Sequence, residues 1–293
     1  MPVKGPHKRR FIPILKKIIF NADDFGLTRG INQGIIRAFT EGVVRSASLM
    51  PVGMAYDDAV RLAKENPGLD IGIHLCLVEE KPLLTNKEIP SLVVKDGYFS
   101  RYELWFILNY YLGRINLKEI ERELEAQVQR VKESGIRATH IDSHDYIHML
   151  PSILKIVMRL ARKYSIPFIR YPYERPVIFT ARPPRYMLSF ILNMLCVVSN
   201  KIIREAGLFR TNYFYGVLSS GHLSESCLTK ILRTVDKGMT EITCHPGIYD
   251  EEAKRYDYWK YEWEGELRAL TSPNIKKIIK DLNIQLVNFR EIL

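Results

Sequence analysis

The chain has 293 residues, 46% of them hydrophobic and 26% charged, which supplies a sizeable core and excludes a disordered chain. Its formal charge of +10 admits nucleic acid, an anionic membrane surface or an acidic substrate without choosing among them. The four cysteines, Cys76, Cys196, Cys227 and Cys244, show no C-x-x-C spacing, which argues against a disulfide framework and a zinc-thiolate site and suits a reducing, cytoplasmic compartment.

Near the start, Lys8, Arg9 and Arg10 precede an apolar stretch that Pro13 and two lysines interrupt, so no secretory signal is expected. KKIIFNADD (16–24) reads as a strand ending in a loop, and INQGIIRAFTEG (31–42) as a helix with a terminal glycine. A second strand is expected over 43–52, a helix over 55–68 with Asn66-Pro67-Gly68 as its stop, and a third strand over 69–77. The segment 117–135 has apolar residues at 120, 124, 128 and 131 and gives the clearest helix. A strand and loop follow over 137–151, a helix over 151–165 and strands over 166–172, 238–247 and 284–292.

Strands alternating with helices predict a parallel α/β fold, a distorted (β/α) TIM-like barrel in a single domain over 1–293, with an open doubly wound sheet as the alternative. Residues 171–215 read as an elaboration near the barrel mouth. Within it LSFILNMLCVV (188–198) is too short to span a bilayer. Burial in the core or in a homodimer is the simpler expectation for it, and peripheral membrane contact the alternative.

Polar clusters fall at the ends of predicted strands, the face that carries active sites in parallel β/α folds. Asp23 and Asp24 follow the first strand, His74 sits late in the third, His144 follows HIDS and His245 follows EITC. Alternation places His74 opposite Ile71 and Ile73, facing a lumen. HIDSHDYIH (140–148) gathers three histidines and two aspartates, and imidazole with carboxylate suits Mg, Mn, Fe or Zn. A cation would also offset the repulsion between the adjacent acids Asp23 and Asp24, although a loop or helix-capping role needs no metal. His245 is a candidate acid or oxyanion donor, or a turn residue before Pro246-Gly247.

The stretches NADDFGLTRGINQGI, GIHL, THIDSHDYIHMLP and EITCHPG, in this order and spacing, resemble the YdjC-like carbohydrate deacetylase family. Two later segments, REAGLFRTNYFYG and YEWEGELRALTSPNIKKIIKDLNIQLVNF, look more like its hopanoid-biosynthesis-associated branch. The resemblance implies a distorted barrel with a divalent metal, Mg or Zn, held by Asp24, His74 and His144. It places Asp23 as catalytic base and His245 as acid, and implies removal of an N-acetyl group from an amino sugar or glycolipid. The family pattern often has a further histidine where this chain carries Asp145. A phosphoesterase would need more carboxylate ligands than the sequence places; a non-catalytic barrel binding carbohydrate or nucleic acid is the other alternative, and because nucleic acid has only charge in its favour no nucleic-acid partner is expected.

Overall fold

The computed structural model describes residues 15–176 and 183–292. Lys8, Arg9, Arg10 and the interrupted apolar stretch before residue 15 lie outside them, as do six residues of the expected elaboration. The elements in chain order are β1 (Lys16–Phe25), α1 (Arg29–Thr40), β2 (Ser46–Leu49), α2 (Tyr56–Glu65), β3 (Asp70–Leu75), α3 (Glu103–Tyr111), α4 (Leu117–Glu133) and β4 (His140–Ser143). After a 3-10 turn (His144–Met149) come α5 (Pro151–Lys163), β5 (Phe168–Ile169), α6 (Pro183–Glu205), β6 (Tyr213–Tyr215), α7 (Glu225–Thr234) and β7 (Gly238–Cys244). Two further helices, α8 (Trp263–Thr271) and α9 (Pro273–Asp281), precede β8 (Ile284–Leu286).

The strands form one parallel sheet in the order β5-β4-β3-β2-β1-β7-β6. β8 pairs with Lys16–Ile18 of β1, below the level at which β2 joins at Asn21, so one edge of β1 is shared between two partners. The edge strands β5 and β6 meet through isolated bridges, Phe168 with Phe209 and Glu174 with Phe214. The sheet therefore curls round on itself as a distorted barrel, closed on one side by single bridges instead of a ladder.

Strand alternation sorts side chains between two environments. Ile18, Phe20, Ala47, Leu49, Ile71, Ile73, Ile141, Ile169 and Ile242 face outward into the main apolar core beneath the helices. The opposite set faces the lumen. At the N-terminal ends of the strands Ile19, Phe168, Val287 and Phe289 make a separate apolar plug. Above it the lumen is lined by Asn21, Asp23, Ser46, Ser48, His74, His140, Asp142, Arg170 and Glu241, all buried. Gly72 occurs in β3 because a Cβ there would lie 2.2 Å from His140 Nε2, so only glycine leaves room for that ring.

The four helices expected from periodicity form, with ends shifted by one to three residues. β1 runs to Phe25, so Asp23 and Asp24 lie within the strand instead of following it, whereas later strands are shorter than expected: β2 covers 46–49 of 43–52, and β8 only 284–286 of 284–292. The surplus residues continue as loop, as in Val43 and Val44, which are buried without being in the ladder. The apolar stretch 188–198 lies in α6, and its burial in the core holds for one face alone. Ser189, Leu192 and Cys196 face inward, whereas Phe190, Ile191, Met194, Val197 and Val198 are exposed.

Candidate active site

The adjacent acids pose a geometric problem, because neighbours in a regular strand point to opposite faces. β1 solves it with a bulge: Ala22 pairs with Ala47 and Phe25 with Leu49, so three steps on β1 match two on β2. Asp24 takes a left-handed backbone, φ 63°, within that bulge. Both carboxylates are thereby delivered to the C-terminal rim of the lumen, Asp23 beside Arg170 and Asp24 beside His74 and His144.

Asp24 Oδ1 lies 3.1 Å from His144 Nδ1 and 3.4 Å from His74 Nε2. His74 is fixed from behind, its Nδ1 2.7 Å from Asp142 Oδ1, so a proton there leaves the Nε2 lone pair facing Asp24. Asp24 Oδ2 and His74 Nε2 are buried with no hydrogen-bond partner among the described residues. Such orphaned atoms are costly unless something else satisfies them. One carboxylate and two imidazoles converging on these atoms form a donor set that fits a divalent cation, and their ligating atoms lie within 4.8 Å of one another.

The charges point the same way. Burial works against the Asp24 carboxylate, but the charge and hydrogen bond of His144 and the nearby His74 hold it well below the usual carboxylate range. Burial pulls the His74 imidazole down, yet Asp142 and Asp24 outweigh it and hold the group up at about 9. In the absence of a cation, protons on the imidazoles would balance the carboxylates, and a cation would displace them.

Beneath this cluster sits Arg170, 2% exposed. Its Nη1 and Nη2 clamp the two oxygens of Asp23 at 2.6 and 2.7 Å, Nη2 also meets Asp142 at 2.7 Å, and Nε donates to Glu241 at 2.7 Å. Asn21 adds a bond from Nδ2 to Asp23 Oδ1 at 2.8 Å. One guanidinium facing three carboxylates leaves an excess of negative charge, and burial raises Glu241 to about 7 against the pull of Arg170. Burial likewise raises the Asp142 carboxyl, but Arg170 and His74 more than reverse this and lower it.

His245 follows β7, whose Cys244 pairs with Ala22, so it stands next to Asp23 at the rim. Its backbone N–H donates to Glu266 Oε2, its Nδ1 is buried without a partner among the described residues, and Tyr261 packs on its ring edge. A cleft of about 260 Å³ opens above, lined by Glu79, His144, Asp145, Arg185, Trp259 and Tyr261 among others. Trp259 is locked over His144, 5.1 Å between ring centres, by donating Nε1 to both oxygens of Glu79.

All five expected site residues, Asp23, Asp24, His74, His144 and His245, thus stand at one rim. The other histidines of 140–148 do not. His140 lies deeper, stacked on Phe289, and His148 is held between Ser143 Oγ and the Arg170 carbonyl. The chain leaves the extended conformation after Ser143, and left-handed Asp145 and Tyr146 turn it through the 3-10 segment, so His140 and His144 share no face. Asp142 holds the second ring nitrogen of His74, while Asp145 lies 3.9 Å from His144 Nε2. Arg170 and Glu241 escape a reading of the sequence that treats arginine as surface charge. Their signal was parity, since a lone charge at a lumen position of an apolar strand (IPFIRYP, GMTEITC) has to be buried and paired.

A curled parallel β/α barrel with an Asp-His-His cluster at the carboxyl rim defines a class of barrel proteins whose site is built from strand ends. Residues 17–281 match the family described as YdjC-like protein. The chain belongs to the YdjC-like family. It is 36% identical to a carbohydrate deacetylase of Brevibacillus brevis, across 94% of this chain and 99% of that protein. It is 34% identical to a carbohydrate deacetylase of Geobacillus stearothermophilus, across 93% and 96%. A crystal structure from Enterococcus faecalis, described as a candidate cellobiose-phosphate cleavage protein, superposes with a TM-score of 0.76 at 29% identity, covering 95% of this chain and 99% of that one.

Proposed function

We propose that this protein removes an N-acetyl group from an amino sugar, using a divalent cation, Mg or Zn, held by Asp24, His74 and His144. The carbohydrate deacetylases it resembles over nearly their full length support the reaction class. The observation that carries the metal is the pair of buried atoms, Asp24 Oδ2 and His74 Nε2, that have no hydrogen-bond partner among the described residues, on side chains whose ligating atoms gather with His144 within 4.8 Å. A cation bound there would supply Lewis-acid polarisation of the amide carbonyl and acidify water.

The chain's own groups do the rest. Arg170 and Asn21 fix the Asp23 carboxylate, and Asp23 takes a proton from the attacking water. His245, from the neighbouring strand end, passes a proton to the departing nitrogen so that an amine leaves instead of an amide anion. Asp142 holds His74 in one tautomer, and Trp259 and Tyr261 offer aromatic faces to a sugar ring. The four free cysteines suit work in the cytoplasm.

Elemental analysis of the purified protein, with acetate release from a panel of N-acetylated amino sugars, tests this reading. Asp23→Asn is expected to keep its metal and lose about 10²- to 10⁴-fold in turnover, while His74→Ala and His144→Ala lose both metal and turnover. A protein that takes up no divalent metal and releases no acetate would overturn it.

A further inference from the structure

Helix α6 is apolar on its outward side as well as its inward one, where Leu192, Cys196 and Ile203 are buried. The residues it turns inward include Ser189, Cys196 and Ser199, whereas the outward stripe carries Met187, Phe190, Met194, Val197 and Val198, with Phe190 64% and Val198 70% exposed. It is the one helix among the described residues long and apolar enough to cross a membrane, yet it is fixed to the body at mid-length. Tyr171 donates to the Cys196 carbonyl at 2.7 Å, and Asn193 bonds the backbone of Glu174 from both ends of its amide. Leaving the body to span a bilayer would break these bonds, so the helix presents only its flank.

A second apolar flank lies nearby. α3 turns Leu104, Leu108, Tyr111 and Leu112 outward, at helical spacing. The two helices begin at the same opening, since Leu104 and Glu103 from α3 and Arg185 from α6 all line the cleft above His144. Basic residues bracket both flanks, Arg101 and Arg114 around α3, Lys201 and Arg204 on α6 and Arg185 half-buried at the cleft, against the acids Glu103 and Glu205, the latter 3.7 Å from Lys201. Apolar side chains between cations match the acyl and headgroup layers of an anionic bilayer. A second copy fits less well, because antiparallel packing of α6 on its twin would set Arg185 against Lys201.

We infer that the α3–α6 face docks this protein on an anionic lipid surface with the cleft opening at the headgroup layer. For a deacetylase, an assignment that rests on the reading above, this presents the site to acetylated amino sugars carried on lipid.

The test is sedimentation of the full chain with phosphatidylcholine–phosphatidylglycerol vesicles, against phosphatidylcholine alone. Binding is expected to be at least about tenfold stronger on the anionic vesicles. The variants Phe190→Ser/Val198→Ser and Leu108→Ser/Tyr111→Ser should each weaken it by about tenfold or more, with unchanged melting temperature and unchanged acetate release from a short soluble N-acetylated sugar. No binding to anionic vesicles, binding that survives both double substitutions, or a concentration-dependent dimer that the same substitutions dissolve would each overturn the inference. Sedimentation reads the surface whether or not acetate is released, so failure of the deacetylase reading would be seen separately.

Discussion

The middle of the lumen and its rim are built from the same residue types and use them differently. In the middle, Arg170 meets Asp23, Asp142 and Glu241, and His140 is bonded by Ser48 and Thr139 and stacked on Phe289. At the rim, Asp24, His74 and His245 each keep a buried atom without a partner among the described residues. The middle keeps open atoms too, Asn21 Oδ1 and Glu241 Oε2, but these are oxygens alone, whereas the rim brings an open carboxylate oxygen and open imidazole nitrogens together, the donor types a cation takes. Asp142 belongs to both layers, bonded to Arg170 below and to His74 above.

Removing the cation of the middle layer should break the contrast most severely. Arg170→Met leaves three carboxylates facing one another, and a loss of about 3–5 kcal/mol is expected in urea unfolding; an unchanged midpoint would show that the middle layer is not held by charge pairing. The buried histidines give a subtler readout. Burial lowers His140 and His148 to about 4, so the neutral form is favoured in the folded state. The stability they contribute is intact above the unfolded value of about 6.5 and is lost as pH falls towards 4. Glu174 and Glu241, raised by burial to about 7, act in the opposite sense over much of that range. The measurement is therefore a difference: His148→Gln should gain roughly 3 kcal/mol relative to the parent between pH 6.5 and 4, read from paired melting curves. A difference that stays flat would mean that His148 is charged in the folded protein. The smallest effect is expected at the joint between layers. Asp142→Asn frees the His74 tautomer and should weaken divalent-metal binding about 10- to 100-fold, measured by competition with a chelator; unaltered affinity would detach Asp142 from the metal site.

The rim was readable because each site residue sits at or near the end of an expected strand, at 23–24, 74, 144 and 245. Strand parity was enough to aim His74 into the lumen. It could not aim both Asp23 and Asp24, because only the bulge and the left-handed Asp24 make that possible, and neither leaves a mark in composition. The first two histidines of 140–148 looked equivalent as long as the chain was taken as extended, and the turn at Asp145–Tyr146 separates them. α3, α7, α8 and α9 lay in stretches where no helix had been assigned. α6 was visible as an apolar stretch but not as a helix with an apolar side outward, since patterning alone assumes that an apolar side is a buried one.

The shared edge of β1 has a consequence for how the protein is made. β1 carries Asp23 and Asp24, but its partners are β2, β7 and β8, so its ladders wait for residues 238–244 and 284–286 to be synthesised. Pairings across such sequence distances form slowly and late. On the ribosome the strand that bears the acids can dock against β2 early, while its other edge stays open until almost the whole chain has emerged. The lumen around the two carboxylates therefore closes only when β7 and β8 pair with β1, after Arg170 has been made.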